Sequence, residues 1–149
     1  MDLKDINITM IIDGIAKKFA NMFPNITVYM DEVEQNMAVP AVFIKVNNFT
    51  ETKVNGKYRY RDNIDFLIKY IPSDTENATY ECFNVLEDCS DIVEKIELET
   101  KDVLIGQGIE SNVTDGILNI YVTYNFFVYK NIEQSALMGD LTVESNAKE

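Results

Sequence analysis

The sequence predicts an α+β fold of two layers: a mainly antiparallel sheet with two long β-hairpins, packed by two helices in the order α-β-ββ-α-ββ. Three observations predict it. Residues 41–70 and 101–130 each alternate apolar and polar side chains about a turn dipeptide, Asn55-Gly56 in one and Asp115-Gly116 in the other. Both dipeptides favour the positive φ of a two-residue hairpin turn. Between the two segments lies a stretch with apolar residues at helical spacing, and a second such stretch opens the chain. Each hairpin arm has room for about 13 residues, against about 5–6 in an ordinary strand. Ribbons of that length project past a small core and offer a surface to neighbours.

Residues 6–23 read as the first helix, with Ile8, Ile11, Ile12, Ile15, Phe19 and Met22 on one stripe. Asp5 or Asn7 supplies its cap and Pro24 closes it. Gly14 falls on the polar side of that helix, where it marks a close contact. Ile26 to Met30 is a short strand, and the acidic stretch Asp31 to Pro40 is a loop. In the first hairpin Val42, Ile44 and Val46 share a face on one strand, and Ile64, Phe66, Ile68 and Tyr70 share a face on its partner. Its outer half sets the largely polar Thr50-Glu51-Thr52-Lys53 against Tyr58-Arg59-Tyr60-Arg61. An arm with so little to bury is weak alone, so its tip is either mobile or ordered by a partner.

Pro72 ends that hairpin, and Ser73-Asp74-Thr75-Glu76 fits a capping box before a helix over 77–97. Cys82, Phe83, Leu86, Cys89, Val93 and Ile96 form its apolar stripe, opposite Glu87, Asp88, Asp91, Glu94 and Lys95. The second hairpin pairs Val103–Thr114 with Ile117–Tyr129. Leu118, Ile120, Val122, Tyr124, Phe126 and Val128 alternate on one face, while Tyr121, Phe127 and Tyr129 make the other partly apolar. Such a strand is covered on both sides, once by helices and once by a loop, a second sheet or another subunit. Residues 1–130 therefore make one domain, and 131–149 form a C-terminal arm or a disordered tail.

Composition excludes several functions. With 149 residues and 46% apolar content the chain is globular and builds its core without staples. No apolar run approaches the roughly 18–20 residues that span a bilayer, so no membrane is expected. Met1-Asp2-Leu3-Lys4-Asp5 does not resemble a signal peptide, so the chain is expected to stay in the cytoplasm where it is made. The five Asn-x-Ser/Thr triplets, from Asn7 to Asn112, are then compositional only. A net charge of −12 argues against specific nucleic-acid binding, because phosphate contacts need Lys and Arg.

Little in the chain carries chemistry. Histidine, the commonest general base and metal ligand, is absent. Cys82 and Cys89 lie seven apart on one helix, roughly 10 Å along its axis, too far for a disulfide and on the apolar stripe where thiols act as small hydrophobes. Gly106-Gln107-Gly108 lacks the rest of a phosphate loop and marks a bulge or bend inside a strand pattern. The acidic loop Asp31, Glu32 and Glu34 lacks calcium-loop spacing. No cofactor, metal or catalytic residue is expected. The residues singled out are interface candidates: Glu51, Lys53, Asn55, Tyr58, Arg59, Tyr60 and Arg61 on the first ribbon, Tyr121, Phe127 and Tyr129 on the second, and Leu137 and Met138 on the arm. Arg59 and Arg61 share one face of their strand, and such a pair suits an acidic neighbour, since Arg and Tyr are favoured at interface hot spots.

The order of elements resembles the phage tail terminator family, in particular the small versions of contractile phage tails and phage-tail-like bacteriocins. The resemblance rests on the helix Ile8 to Met22, on Pro40-Ala41-Val42-Phe43-Ile44, on Tyr60-Arg61-Asp62-Asn63-Ile64-Asp65-Phe66 and on Ile120-Tyr121-Val122-Thr123-Tyr124-Asn125-Phe126. It spans roughly residues 5–130 and is a pattern of elements more than a motif. It implies a structural, non-enzymatic protein that forms a hexameric ring on the tail tube, ends tail polymerisation and presents the head-joining surface. It also implies tube and sheath proteins as partners, a head–tail connector in a phage, and a place in the virion tail or bacteriocin particle after assembly in the bacterial cytoplasm. A ring lined by negative charge would let DNA pass without sticking. Three rival readings remain: an acidic inhibitor or DNA mimic for a basic partner, another tail-tube or neck protein, and an enzyme working with carboxylates.

Overall fold

The computed structural model describes residues 6–30, 37–54, 56, 58–73 and 76–130. The C-terminal arm, with Leu137 and Met138, lies outside the described residues, as does Asn55.

Helix α1 runs Ile8–Met22 and is capped by Asn7, whose side chain accepts a hydrogen bond from the Met10 backbone N–H at 2.9 Å. Ile11, Ile15 and Phe19 are fully buried. Met22, expected on the same stripe, is 46% exposed because the helix ends there, past the edge of the core. Gly14 is buried instead of facing solvent. A Cβ on it would lie 2.7 Å from Cγ2 of Ile96, so the expected close contact is real but sits on the inner side.

Strand β1 (Thr27–Tyr29) pairs in parallel with β2 (Ala41–Lys53), which pairs antiparallel with β3 (Arg59–Ile71). The connection between β2 and β3 is longer than a two-residue turn: the Val54 N–H donates to the Arg59 carbonyl at 3.0 Å, and Gly56 has φ +94°. Ile64, Phe66, Ile68 and Tyr70 are buried as a set. Val46 keeps its register opposite Phe66 but is 40% exposed, standing past the three residues that β1 covers and just before the register shift between Val46 and Asn48.

Helix α2 spans Ala78–Glu94, with its N-cap at Asn77 and not at Ser73. Ser73 forms a different lock: its N–H and hydroxyl donate to the Glu81 carboxylate, which also accepts from the Tyr70 hydroxyl at 2.9 Å. Cys82, Cys89, Ile92 and Val93 make its buried stripe, whereas Phe83 is 59% exposed. Cys82 and Phe83 are neighbours about 100° apart on the helix, and the core takes only the first. The helix stops three residues early, since Lys95–Glu97 forms β4 and pairs with β5 (Val103–Ile105) in a separate two-stranded sheet.

Strand β6 (Gln107–Thr114) and β7 (Ile117–Tyr129) close the second hairpin through Asp115 and Gly116, both at positive φ (55° and 74°), as a two-residue turn requires. The expected single strand 103–114 is split at Gly106, where the backbone approaches the end of α2 so closely that a Cβ would lie 2.5 Å from the Val93 oxygen. The Gly106 N–H donates to the Glu94 carbonyl at 2.7 Å and the Tyr124 hydroxyl to that of Val93 at 2.6 Å. Two carbonyls orphaned at the helix end thereby find donors. A register shift between Gln107 and Glu110, with Gly108 at φ +61°, completes the bend that the glycine pair predicted.

The main sheet has the order β1-β2-β3-β7-β6. It is mixed, mainly antiparallel, with both helices on one face. The core lies between them, where Phe66 and Tyr124 meet edge-on at 5.7 Å and Leu118, Ile120 and Val122 are closed from solvent.

Candidate subunit interface

The two ribbons end differently. The tip of the second folds back on the monomer, where a Cβ on Gly116 would lie 3.0 Å from the Ala78 side chain and the Gly116 carbonyl accepts from the Cys82 thiol. The outer end of the first is joined by β7, whose pairing with β3 continues to Arg59↔Tyr129. The result is a three-stranded extension of β2, β3 and β7. Only one ribbon therefore reaches outward, and it carries the end of the other.

Among the described residues, both flanks of this extension are open. Strand β1 pairs only with residues Ala41, Val42 and Phe43 of β2, and β6 reaches only as far as Thr123 on β7. Among the described residues, neither Ile44–Lys53 on one side nor Tyr124–Tyr129 on the other has a further strand beside it. Rows of backbone N–H and C=O groups left this way are templates for pairing with another chain.

On the face toward the helices, Glu51 and Asp62 stand directly opposite each other in the register. Asp62 is only 7% exposed, and like charges so placed repel. Burial, then the Glu51 hydrogen bond and charge, push the Asp62 carboxyl up to about 7. The Lys130 ammonium bonds Glu51 and holds it below the usual carboxylate range. A proton on Asp62 donated to the Glu51 carboxylate satisfies both directions. The same ammonium lies 4.8 Å from the Tyr60 ring centroid.

The opposite face carries Arg59 and Arg61, set directly across from Tyr129 and Phe127. The Arg59 guanidinium lies 3.9 Å over the Phe127 ring. Thr52, opposite Arg61, completes this end of the face. Side-chain atoms shut away from solvent without a hydrogen-bond partner are, among the described residues, Arg59 Nε, Asp62 Oδ1 and Asn63 Oδ1, all within five residues of β3. Native chains leave few such atoms, and here they fall together at the outer end of β3.

Of the residues singled out from sequence, Glu51, Lys53, Tyr58, Arg59, Tyr60, Arg61, Phe127 and Tyr129 come together on this extension. Tyr121 does not. It stands between Leu67 and Glu110, six residues and roughly 20 Å along β7 from Phe127. Asp62 and Lys130 were missed; the signal for Asp62 was its place opposite Glu51, readable only once the register is known. Among the described residues no three potential metal ligands cluster, and no helix is long and apolar enough to cross a membrane.

A model of the phage tail terminator protein family matches residues 10–136. The chain belongs to the phage tail terminator family. Its role is accordingly structural, in tail assembly, and its partners are other tail components. No curated protein matches the chain.

Proposed function

We propose that this terminator closes into a hexameric ring on the end of the tail tube, halts its polymerisation and presents the surface to which a head or neck component joins. The observation that carries this reading is the three-stranded extension with one open edge on β2 and another on β7. Different patches on opposite flanks give a heterologous contact, which closes into a ring when the rotation per copy divides the circle. Both β2 and β7 run antiparallel to β3, so they are parallel to each other, and joining β2 of one copy to β7 of the next continues the sheet without turning it over.

Charge supports the same reading. A chain at −12 gives a ring that DNA does not adhere to. Sheath contact and residence on a contractile tail or bacteriocin particle belong to this proposal too. Electron microscopy of particles produced with and without the gene tests it. Tails of uncontrolled length, lacking a terminal collar, are expected when the protein is missing. Tails of normal length in its absence refute the terminator role.

A further inference from the structure

Among the described residues, nothing covers an outward stripe of helix α2. Tyr80 is 70% exposed and Phe83 59%, and Glu87, Asp91 and Glu94 follow, all exposed. At about 100° per residue these five positions fall within a band of about 80° on one helical face. Two large aromatics in water followed by three carboxylates make an unusual surface for a helix whose other side supplies the core.

The complementary surface is the arginine face of the β2–β3–β7 extension. The chain has 13 basic residues, and its arginines are Arg59 and Arg61, side by side there with Phe127 and Tyr129. Glu51 and Asp62 project to the other side of the sheet, so no carboxylate dilutes this end of the face. Arginine forks match carboxylates in geometry and combine that with stacking on aromatic rings. Spacing agrees as well: alternate residues on a strand are roughly 7 Å apart, and Glu87 to Asp91 is roughly 6 Å along the helix.

The two surfaces cannot meet within one chain. Helix α2 packs on the face of the sheet that carries Leu118, Ile120 and Tyr124, and the arginines lie on the reverse. We propose that the α2 stripe of one copy docks on the arginine face of the next, Glu87 and Asp91 meeting Arg59 and Arg61 while Tyr80 and Phe83 pack near Phe127 and Tyr129. The inference takes from the ring reading only that copies associate head to tail: a sheet continued from β2 to β7 keeps every copy's α2 and arginines on opposite sides, so this face contact and the edge junction exclude each other and the experiment separates them. Electrostatic pairing of this kind supplies orientation and salt dependence more than bulk affinity.

Charge exchange tests it, with association of the full chain followed by sedimentation velocity at low salt. Arg59→Glu with Arg61→Glu is expected to weaken self-association by roughly tenfold or more, as is Glu87→Lys with Asp91→Lys. Each variant keeps its circular dichroism spectrum, because the exchanged residues lie outside the core. Mixing the two variants, or combining all four exchanges in one chain, is expected to restore association. A structural role for either set would not be rescued by the other. Normal association of the single sets, absence of rescue, or a wild-type chain that stays monomeric at millimolar concentration overturns the docking. The ring reading fails separately, if wild-type chains associate through these surfaces into closed dimers or open fibres.

Discussion

Replacing Gly106 by alanine is expected to destabilise the chain by about 2 kcal/mol, which follows from contacts at one backbone position. A Cβ there would sit 2.5 Å from the Val93 carbonyl oxygen and 2.7 Å from Cγ2 of Val122. Restoring the carbonyl to the 3.4 Å of an ordinary contact needs a displacement of about 0.9 Å. That carbonyl has little freedom, because the buried Tyr124 hydroxyl bonds it at 2.6 Å. Overpacking costs about 1–3 kcal/mol, and an obstacle made of pinned backbone belongs at the upper end. The reduced freedom of the unfolded chain returns about 0.4–1 kcal/mol. For a domain of this size the net figure lowers Tm by about 4–8 °C. Thermal and urea denaturation followed by far-UV circular dichroism measure it, the unchanged urea slope showing that the same surface unfolds. Tyr124→Phe alone should cost about 1–2 kcal/mol through its lost hydrogen bond. Combined with Gly106→Ala it should cost less than the sum by at least about 0.5 kcal/mol, since a released carbonyl yields more easily. A Gly106→Ala chain that melts at or above the wild-type temperature refutes the reasoning.

Three other outcomes are expected. Asp62 titrates near 7 in the folded chain against 3.8 unfolded, so between about pH 4 and 7 the folded state holds a proton that the unfolded state has released. Stability therefore falls as pH rises through that window, and Asp62→Asn should flatten the trend in urea titrations; a trend left intact by this change would exclude Asp62 as its source. Cys89 is buried and pushed up to about 12, and Cys82 is buried and raised, so a thiol reagent at about pH 8 should modify neither faster than the chain unfolds. Phe19→Ala should cost about 3–5 kcal/mol, whereas Phe83→Ala should leave stability within about 0.5 kcal/mol, a contrast that chemical denaturation reads directly.

Elements and their order were legible because they rest on local periodicity. The alternation of Leu118 to Val128 and the spacing of Ile11, Ile15 and Phe19 match the burial found. The misses share a cause: each depends on which of two acceptable neighbours the tertiary structure selects. Cys82 and Phe83 both fit an apolar stripe, and only the sheet beneath α2 decides that Cys82 goes in. Ile96 continues the helical pattern, yet pairing with Leu104 draws it into β4. Val46 keeps the alternation of β2 and its register opposite Phe66, yet β1 ends three residues before it and leaves it exposed. At the interface, the clustering of Arg59, Arg61, Phe127 and Tyr129 required the register between β3 and β7, which no local pattern contains.

The bend at Gly106 and the openness of the ribbon are one phenomenon. If β6 paired with β7 along its whole length, Tyr124–Tyr129 would face a neighbour strand and the extension would have a single free flank. Gly106 instead commits the chain to the end of α2, and the register shift before Glu110 carries it off β7 beyond Thr123. Among the described residues, a feature that stabilises the core thus leaves β7 without a neighbour on its β6 side beyond Thr123. The two edges differ in chemistry: β2 ends in exposed Thr50, Glu51, Thr52 and Lys53, while β7 carries Phe127 and Tyr129. Charged, polar side chains on an edge oppose indiscriminate pairing, and aromatic ones favour it. Charge on the β2 edge therefore disfavours pairing of like edges on that side, and the proposed β2-to-β7 junction brings it to an aromatic edge instead. Such asymmetry supports the proposed head-to-tail contact over a two-fold one, and a head-to-tail contact is the kind a ring needs.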